Sequence, residues 1–424
     1  LIMKRLMRKE FIKFLIQLRK DRTLIILCIE VVIMMMGIGL VSPILPQYAS
    51  TFGVNITMIG MLITVFGIAR IIVDIPAGKL TDKIGRRPIL ISGPLVVAIG
   101  SLGCGLANQY WILLLFRFIQ GIGSAMYTTA AMIMLADIST ESNRGRVMGI
   151  YQGCILIGSG LGPTIGGFLA HDFGLSSPFF FFAILAVCAS IWAYYSLPES
   201  KPDKNALNLN DDNVIEQNIV QQDNVIKNLL HNNNFILISL ITFGVFVTRQ
   251  GAQNQILPLL SAEKLGINEG QIGIALTIVA LVQFIAIFVS GKLSDRIGRK
   301  AVITPGCIII ALSLFMLAHI SSYSSLLITC LIMGIGIGTC GPISSAYVVD
   351  IIPEKYYSVG MGTYRAISDL GFVIGPVLLG WLSDVKNFNF ALIFNSIFIL
   401  ISAIIFQLKA TEKHYINYNT LKHK

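Results

Sequence analysis

The sequence predicts an all-α membrane protein with twelve transmembrane helices in two similar six-helix bundles. Three observations carry that expectation. The 424-residue chain is 54% hydrophobic and only 13% charged, with a mean hydropathy of +0.75, whereas soluble chains carry roughly 25% charged residues. Twelve apolar runs are each long enough to cross about 30 Å of hydrocarbon at a rise of about 1.5 Å per residue. Features of the first half recur in the second at one fixed offset of 213 positions.

In chain order, residues 1–22 form a basic N-terminal segment. Within it Met7, Phe11, Phe14, Leu15 and Leu18 share one helical face, with basic residues around the rest. Such a helix suits the anionic inner leaflet, either as a plain topological anchor or with a regulatory role. Spans 1–6 are expected at 24–49, 58–78, 88–107, 110–136, 146–170 and 178–197, within an N-terminal bundle of residues 23–197. Gly and Pro inside them are tolerated in membrane helices. Residues 198–234, rich in Asn, Gln and acids, read as a polar linker on the cytoplasmic side. Spans 7–12 follow at 235–260, 270–291, 301–320, 324–351, 357–382 and 389–408, making a C-terminal bundle of residues 235–408 and a tail of 409–424.

Charge placement sets the orientation. With both termini inside, 26 of the 32 Lys and Arg fall on inner segments, two on outer ones and four within spans. Cytoplasmic loops are enriched in Lys and Arg, so the net charge of +10 reads as a topology signal and not as a nucleic-acid surface. The seven cysteines lie in apolar stretches without a CxxC pair and read as small buried hydrophobes, with no metal site expected. The basic segment runs straight into a full-length span, so no cleavable signal peptide is expected. No Walker, HExxH or catalytic-triad pattern appears, which argues against an enzyme or an ATP-driven pump.

The repeat is extensive. GKLTDKIGRR at Gly78–Arg87 returns as GKLSDRIGRK at Gly291–Lys300. Gly149, Gly158, Gly162, Pro163 and Gly167 return as Gly362, Gly371, Gly375, Pro376 and Gly380, and Asp137 as Asp350. Parallel six-helix repeats are a transporter architecture, with the substrate path between the halves.

On these residues the chain resembles the major facilitator superfamily over nearly its whole length. The ten-residue motif after span 2 is similar to that superfamily's GxLxDRxGRR signature and is present in both halves. Arg117, Gln120, Gly121, Gly123 and Ala125 resemble its span 4 motif, RxxQGxGxA. Gly149, Gly158, Gly162, Pro163, Gly166 and Gly167 resemble its antiporter motif in span 5. The resemblance implies the major facilitator fold and proton-driven export, as in the twelve-helix drug:proton antiporters. It implies no cofactor, the proton gradient being the energy source. A small-molecule substrate, protons and the bilayer are the expected partners of a monomer in the plasma membrane.

Each motif has a physical expectation. Gly78 and Gly291 would let spans pack closely. Asp82 would meet the positive N-terminal end of span 11, and Arg86 would reach Asp137. The result is an inner latch that holds the outward-facing state, repeated by Asp295, Arg299 and Asp350. The span 5 glycines would form a tight seam between the halves, bent at Pro163. Seven ionisable residues fall inside spans, where each costs roughly 3 kcal/mol or more. By depth, Glu30, Arg70 and Asp74 group together, as do Arg249, Arg365 and Asp369. Glu30 is the first candidate for proton coupling, with Asp74 and Asp369 next. Arg117 stands without an acid at its level; it could act on a neighbouring acid, an anionic substrate or carbonyls. Met34, Met35, Met36, Gln120, Tyr127, Phe243, Gln250, Asn254, Gln283 and Tyr364 are candidates for a greasy, adaptable substrate cavity. Export of small amphipathic organic molecules is the first reading. The alternatives are a proton-coupled importer of a polar or anionic metabolite and a lipid flippase.

Overall fold

The computed structural model describes residues 22–139, 143–199, 229–352 and 356–411. The amphipathic N-terminal segment, most of the linker and most of the tail therefore lie outside the described residues. Among the described residues, twelve helices are long and apolar enough to cross a membrane. Their order is span 1 (Arg22–Val41), span 2 (Ile56–Ile84), span 3 (Arg86–Gly105), span 4 (Tyr110–Ile138), span 5 (Arg144–Phe173) and span 6 (Ser177–Ser196). After the linker come span 7 (Asn233–Leu265), span 8 (Glu269–Ile297), span 9 (Lys300–Ala318), span 10 (Tyr323–Ile351), span 11 (Tyr357–Val385) and span 12 (Phe388–Lys409).

The ends of spans 1, 2 and 8 depart from the sequence expectation, for physical reasons. Span 1 stops at Val41 and the chain restarts as a short helix at Leu45–Ser50. Pro43 and Pro46 explain the break: neither can donate a helical hydrogen bond, and each ring crowds the preceding turn. Spans 2 and 8 continue one to two turns beyond the expected ends at Gly78 and Gly291. The apolar run marks where the hydrocarbon ends, whereas the helix itself runs on through Lys79–Ile84 and stops at Gly85, with φ +108°. Gly298 ends span 8 in the same way, with φ +99°. Backbone in that region favours glycine, and one residue suffices to join span 2 to span 3.

Span 7 carries a second irregularity. Thr248–Ile256 is π-helical between α-helical Asn233–Val247 and Leu257–Leu265.

The chain forms two compact units. Among the described residues, unit 1 holds 22–41, 68–139, 143–163 and 176–199; unit 2 holds 42–67, 164–175, 229–352 and 356–411. The short helix Leu45–Ser50, the first part of span 2 and the last part of span 5 thus belong to the unit built from the second half. In unit 1, span 3 packs on spans 4 and 6, and span 1 on span 6. In unit 2, the equivalent pairs 9 with 10, 9 with 12 and 7 with 12 repeat that arrangement. A Cβ on Gly123 would lie 2.6 Å from Val97 N, and one on Gly336 would lie 2.9 Å from Ile310 N. Close backbone approach is therefore preserved at both copies of this contact. Six cysteines are buried as expected, but Cys188 is exposed on span 6.

Candidate functional site

In unit 1, span 5 presents Tyr151, Cys154, Gly158 and Gly162 at spacings of three and four, along one helical face. The two glycines bring that face against span 1. A Cβ on Gly158 would stand 2.6 Å from Val32 O, and one on Gly162 would stand 2.6 Å from Gly39 Cα. The tight seam is thus formed within unit 1, span 5 on span 1, and not by those glycines between the halves. Gly167 is separate: in unit 2 it abuts Glu269 and Gly270 at the start of span 8. Gly149 has open space where a Cβ would go, and Gly166 is buried.

This close approach surrounds Glu30 of span 1. Glu30 is 0% exposed, and neither carboxyl oxygen accepts a hydrogen bond from any described residue. Tyr127 of span 4 and Tyr151 of span 5 lie within its electrostatic reach, and Cys28 lies within reach of both tyrosines. The two tyrosine hydroxyls are buried near each other, yet neither makes a hydrogen bond of good geometry with a described residue. Three buried polar groups therefore share one region, and a polar group buried without a partner is costly.

The grouping of charges by depth does not hold. Asp74 accepts a hydrogen bond from Thr129 of span 4 at 3.0 Å. Glu30, by contrast, faces spans 4 and 5. Helical rise fixes depth but not the direction in which a side chain points, so residues at one level need not meet. Likewise neither Arg249 nor exposed Arg365 pairs with Asp369.

The Asp–Arg–Asp network forms in both units. In unit 1, Arg86 Nε donates to Asp137 at 2.8 Å, and its Nη1 lies 3.2 Å from Asp82. In unit 2, Arg299 Nε donates to Asp350 at 3.3 Å and Nη1 to Asp295 at 2.5 Å. Asp82 and Asp295 remain 69% and 65% exposed. A Cβ on Gly78 would meet only Thr129 Cγ2, at 3.9 Å, and one on Gly291 would meet nothing within 4 Å; neither glycine is a site of close packing. Sequence reasoning misses Glu199. Its carboxylate accepts from Arg86 N at 2.9 Å and Arg87 N at 3.3 Å, at the start of span 3. The sequence signal is an acid just after span 6, where it can meet a helix N-terminus.

Several cavity candidates have contacts of their own within the protein. Arg117 donates to Gln120 Oε1 at 2.5 Å, and Gln120 donates to Ser101 at 2.6 Å, so Gln120 belongs to a buried network. Tyr364 shares a hydrogen bond of 2.7 Å with Thr242. Phe243 packs edge-on against Phe398, with centroids 6.2 Å apart. Met34, Tyr127 and Gln283 are buried, whereas Met35, Met36, Phe243 and Asn254 keep partial access. Gln250 accepts from Asn254 at 3.0 Å on the π-helical stretch.

Sequence reasoning also misses Asp384, at the C-terminal end of span 11 and beyond its expected boundary. It accepts from the backbone of Ile56 at 2.9 Å and of Thr57 at 2.8 Å, and from the Thr57 hydroxyl. It thereby caps the N-terminus of span 2, all within unit 2. In the same unit Thr164 donates to Thr277 at 2.7 Å.

The family model of the Major Facilitator Superfamily matches residues 27–249 and 245–418. The chain belongs to the Major Facilitator Superfamily. It is a transporter and not an enzyme. Within the superfamily it is 26% identical over 391 residues to an uncharacterised MFS-type transporter of Methanocaldococcus jannaschii, covering 92% of this chain and 98% of the relative. It is 28% identical over 378 residues to multidrug resistance protein 2 of Bacillus subtilis, covering 87% and 90% respectively. Its fold is similar to that of a bacterial homologue of the human lysosomal transporter Spinster, with a TM-score of 0.77, 16% identity, and coverage of 91% and 95%.

Proposed function

We propose that the chain exports small amphipathic organic compounds in exchange for protons, by alternating access. The observation that carries this reading is Glu30: a fully buried carboxyl whose oxygens accept no hydrogen bond from any described residue. Burial favours the protonated form of a carboxyl, and access to water favours release of the proton. A cycle that alternates those two environments couples proton movement to transport. Similarity to a multidrug resistance protein and the span 5 motif support export as its direction. The carrier acts as a monomer in the plasma membrane with both termini cytoplasmic, and the proton gradient supplies its energy. Asp74 and Asp369 are the next coupling candidates, and the network of Asp82, Arg86 and Asp137 serves as the inner latch.

The test is proton-driven efflux of a fluorescent amphipathic dye in proteoliposomes. The gradient supplies about 1.4 kcal/mol per pH unit. Glu30→Gln is expected to lose uphill efflux while keeping downhill exchange. If Glu30→Gln keeps uphill efflux and Asp74→Asn or Asp369→Asn loses it, the coupling acid is another one.

A further inference from the structure

We propose that Arg249 receives an oxyanion group, foremost a carboxylate, carried by the transported compound. This rests on reading the chain as a carrier of amphipathic organic molecules and names one chemical feature of its substrates.

Arg249 is the middle residue of span 7, Asn233–Leu265. Its side chain is partly accessible. The guanidinium makes no hydrogen bond or ion pair with any described residue, and no described carboxylate bears on it electrostatically. The arginines of the two Asp–Arg–Asp networks are satisfied by Asp137 and Asp350, and Arg117 is satisfied by Gln120. A cation at mid-span is costly and is ordinarily paired. A free one has five planar donors to offer.

The backbone adds a second, independent observation. Arg249 sits in the nine-residue π-helical stretch Thr248–Ile256, the only such stretch among the described residues. π-Helical turns are rare and concentrate at functional sites. The same stretch carries Gln250, Gln253 and Asn254. Gln250 and Asn254 are bonded to each other, while the buried Gln253 Oε1 accepts nothing from the described residues. One to two turns before Arg249, Phe243 and Phe246 keep partial access. A forked cation beside amides and aromatic rings suits an oxyanion that offers two acceptor oxygens side by side on an apolar body. Carboxylate and phosphate share that chemistry.

The experiment measures equilibrium binding to purified full-length protein of 2-naphthoate and of 2-naphthamide, which differ in charge but share one body. Native protein is expected to prefer naphthoate by about tenfold or more, Arg249→Gln to bring the two within about threefold, and Arg249→Lys to keep part of the preference. A native protein that does not discriminate overturns the proposal, as does a folded Arg249→Gln that discriminates fully. Arg249→Lys decides the matter if Arg249→Gln does not fold: a preference equal to the native one overturns bidentate recognition. Displacement of naphthoate by a lysophosphatidate supports the oxyanion site and assigns it to a lipid headgroup. Efflux of a cationic dye from the same preparation separates the two readings. Efflux with no naphthoate preference removes the role of Arg249 alone, whereas absence of efflux removes the exporter reading as well.

Discussion

At the scale of single residues, charge and burial pull in different directions. Asp137 is 19% exposed and holds Arg86, itself 8% exposed, whereas Asp82 is 69% exposed. Asp137→Asn is therefore expected to destabilise the protein by about 1–3 kcal/mol, since it leaves a buried guanidinium short of its charged partner. Asp82→Asn should change stability by no more than about 1 kcal/mol, because an exposed ion pair is worth little. On the proposed inner latch it should nonetheless reduce transport. Thermal unfolding in detergent, set beside efflux, checks both; full transport by Asp82→Asn would refute the latch. The identity and depth of the buried ionisable residues are legible in the sequence, because one dimension suffices for depth. The partners of Glu30 are not: only the packing of span 5 on span 1 shows that Tyr151 approaches it.

At the scale of the helix, glycines sharing one motif do different things. Gly162 stands where a Cβ would meet backbone atoms at 2.6 Å, and Gly149 faces open space. Gly162→Ala is expected to cost about 1–3 kcal/mol through overpacking. Gly149→Ala should be neutral or stabilise by up to about 1 kcal/mol, because alanine is the better helix former. Melting temperatures of the two variants should therefore move apart. The motif spacing is legible in the sequence, but whether each glycine faces a helix or open space is not. Helix termini make a similar point. Span 8 caps itself through Asn268 and Gln271, while span 2 takes its cap from Asp384 of span 11. Asp384→Ala should weaken that cap by about 0.5–2 kcal/mol. A cysteine placed at Thr164 in that background should react faster with an impermeant maleimide added from outside. An unchanged rate would show that the cap does not hold this end together.

At the scale of the whole molecule, the duplication is the strongest signal. The offset of 213 that aligns the motifs also aligns packing partners: Gly123 of span 4 against Val97 of span 3, and Gly336 of span 10 against Ile310 of span 9. The division into units is not legible. Residues 42–67 and 164–175 group with the second half, because hydrogen bonds such as Thr164 to Thr277 depend on three-dimensional placement and leave no trace in the apolar pattern. The Lys and Arg bias gives an expected orientation. It predicts that a cysteine at exposed Asn108 is labelled by an impermeant maleimide in intact cells, and one at exposed Gly145 only in inverted vesicles. The opposite pattern would invert the topology.

The single-residue joint at Gly85 has a mechanical consequence. Span 2 ends at Ile84 and span 3 begins at Arg86, and consecutive Cα atoms stand about 3.8 Å apart. There is no slack between the two helix ends. Gly85 already holds a φ of +108°, and Glu199 fastens the amides immediately after it. A tilt of span 2 must therefore be transmitted to span 3 as through a short, stiff crank. Spans 5 and 6 differ, being joined by Gly174 through Ser176, a longer tether with room to lag behind.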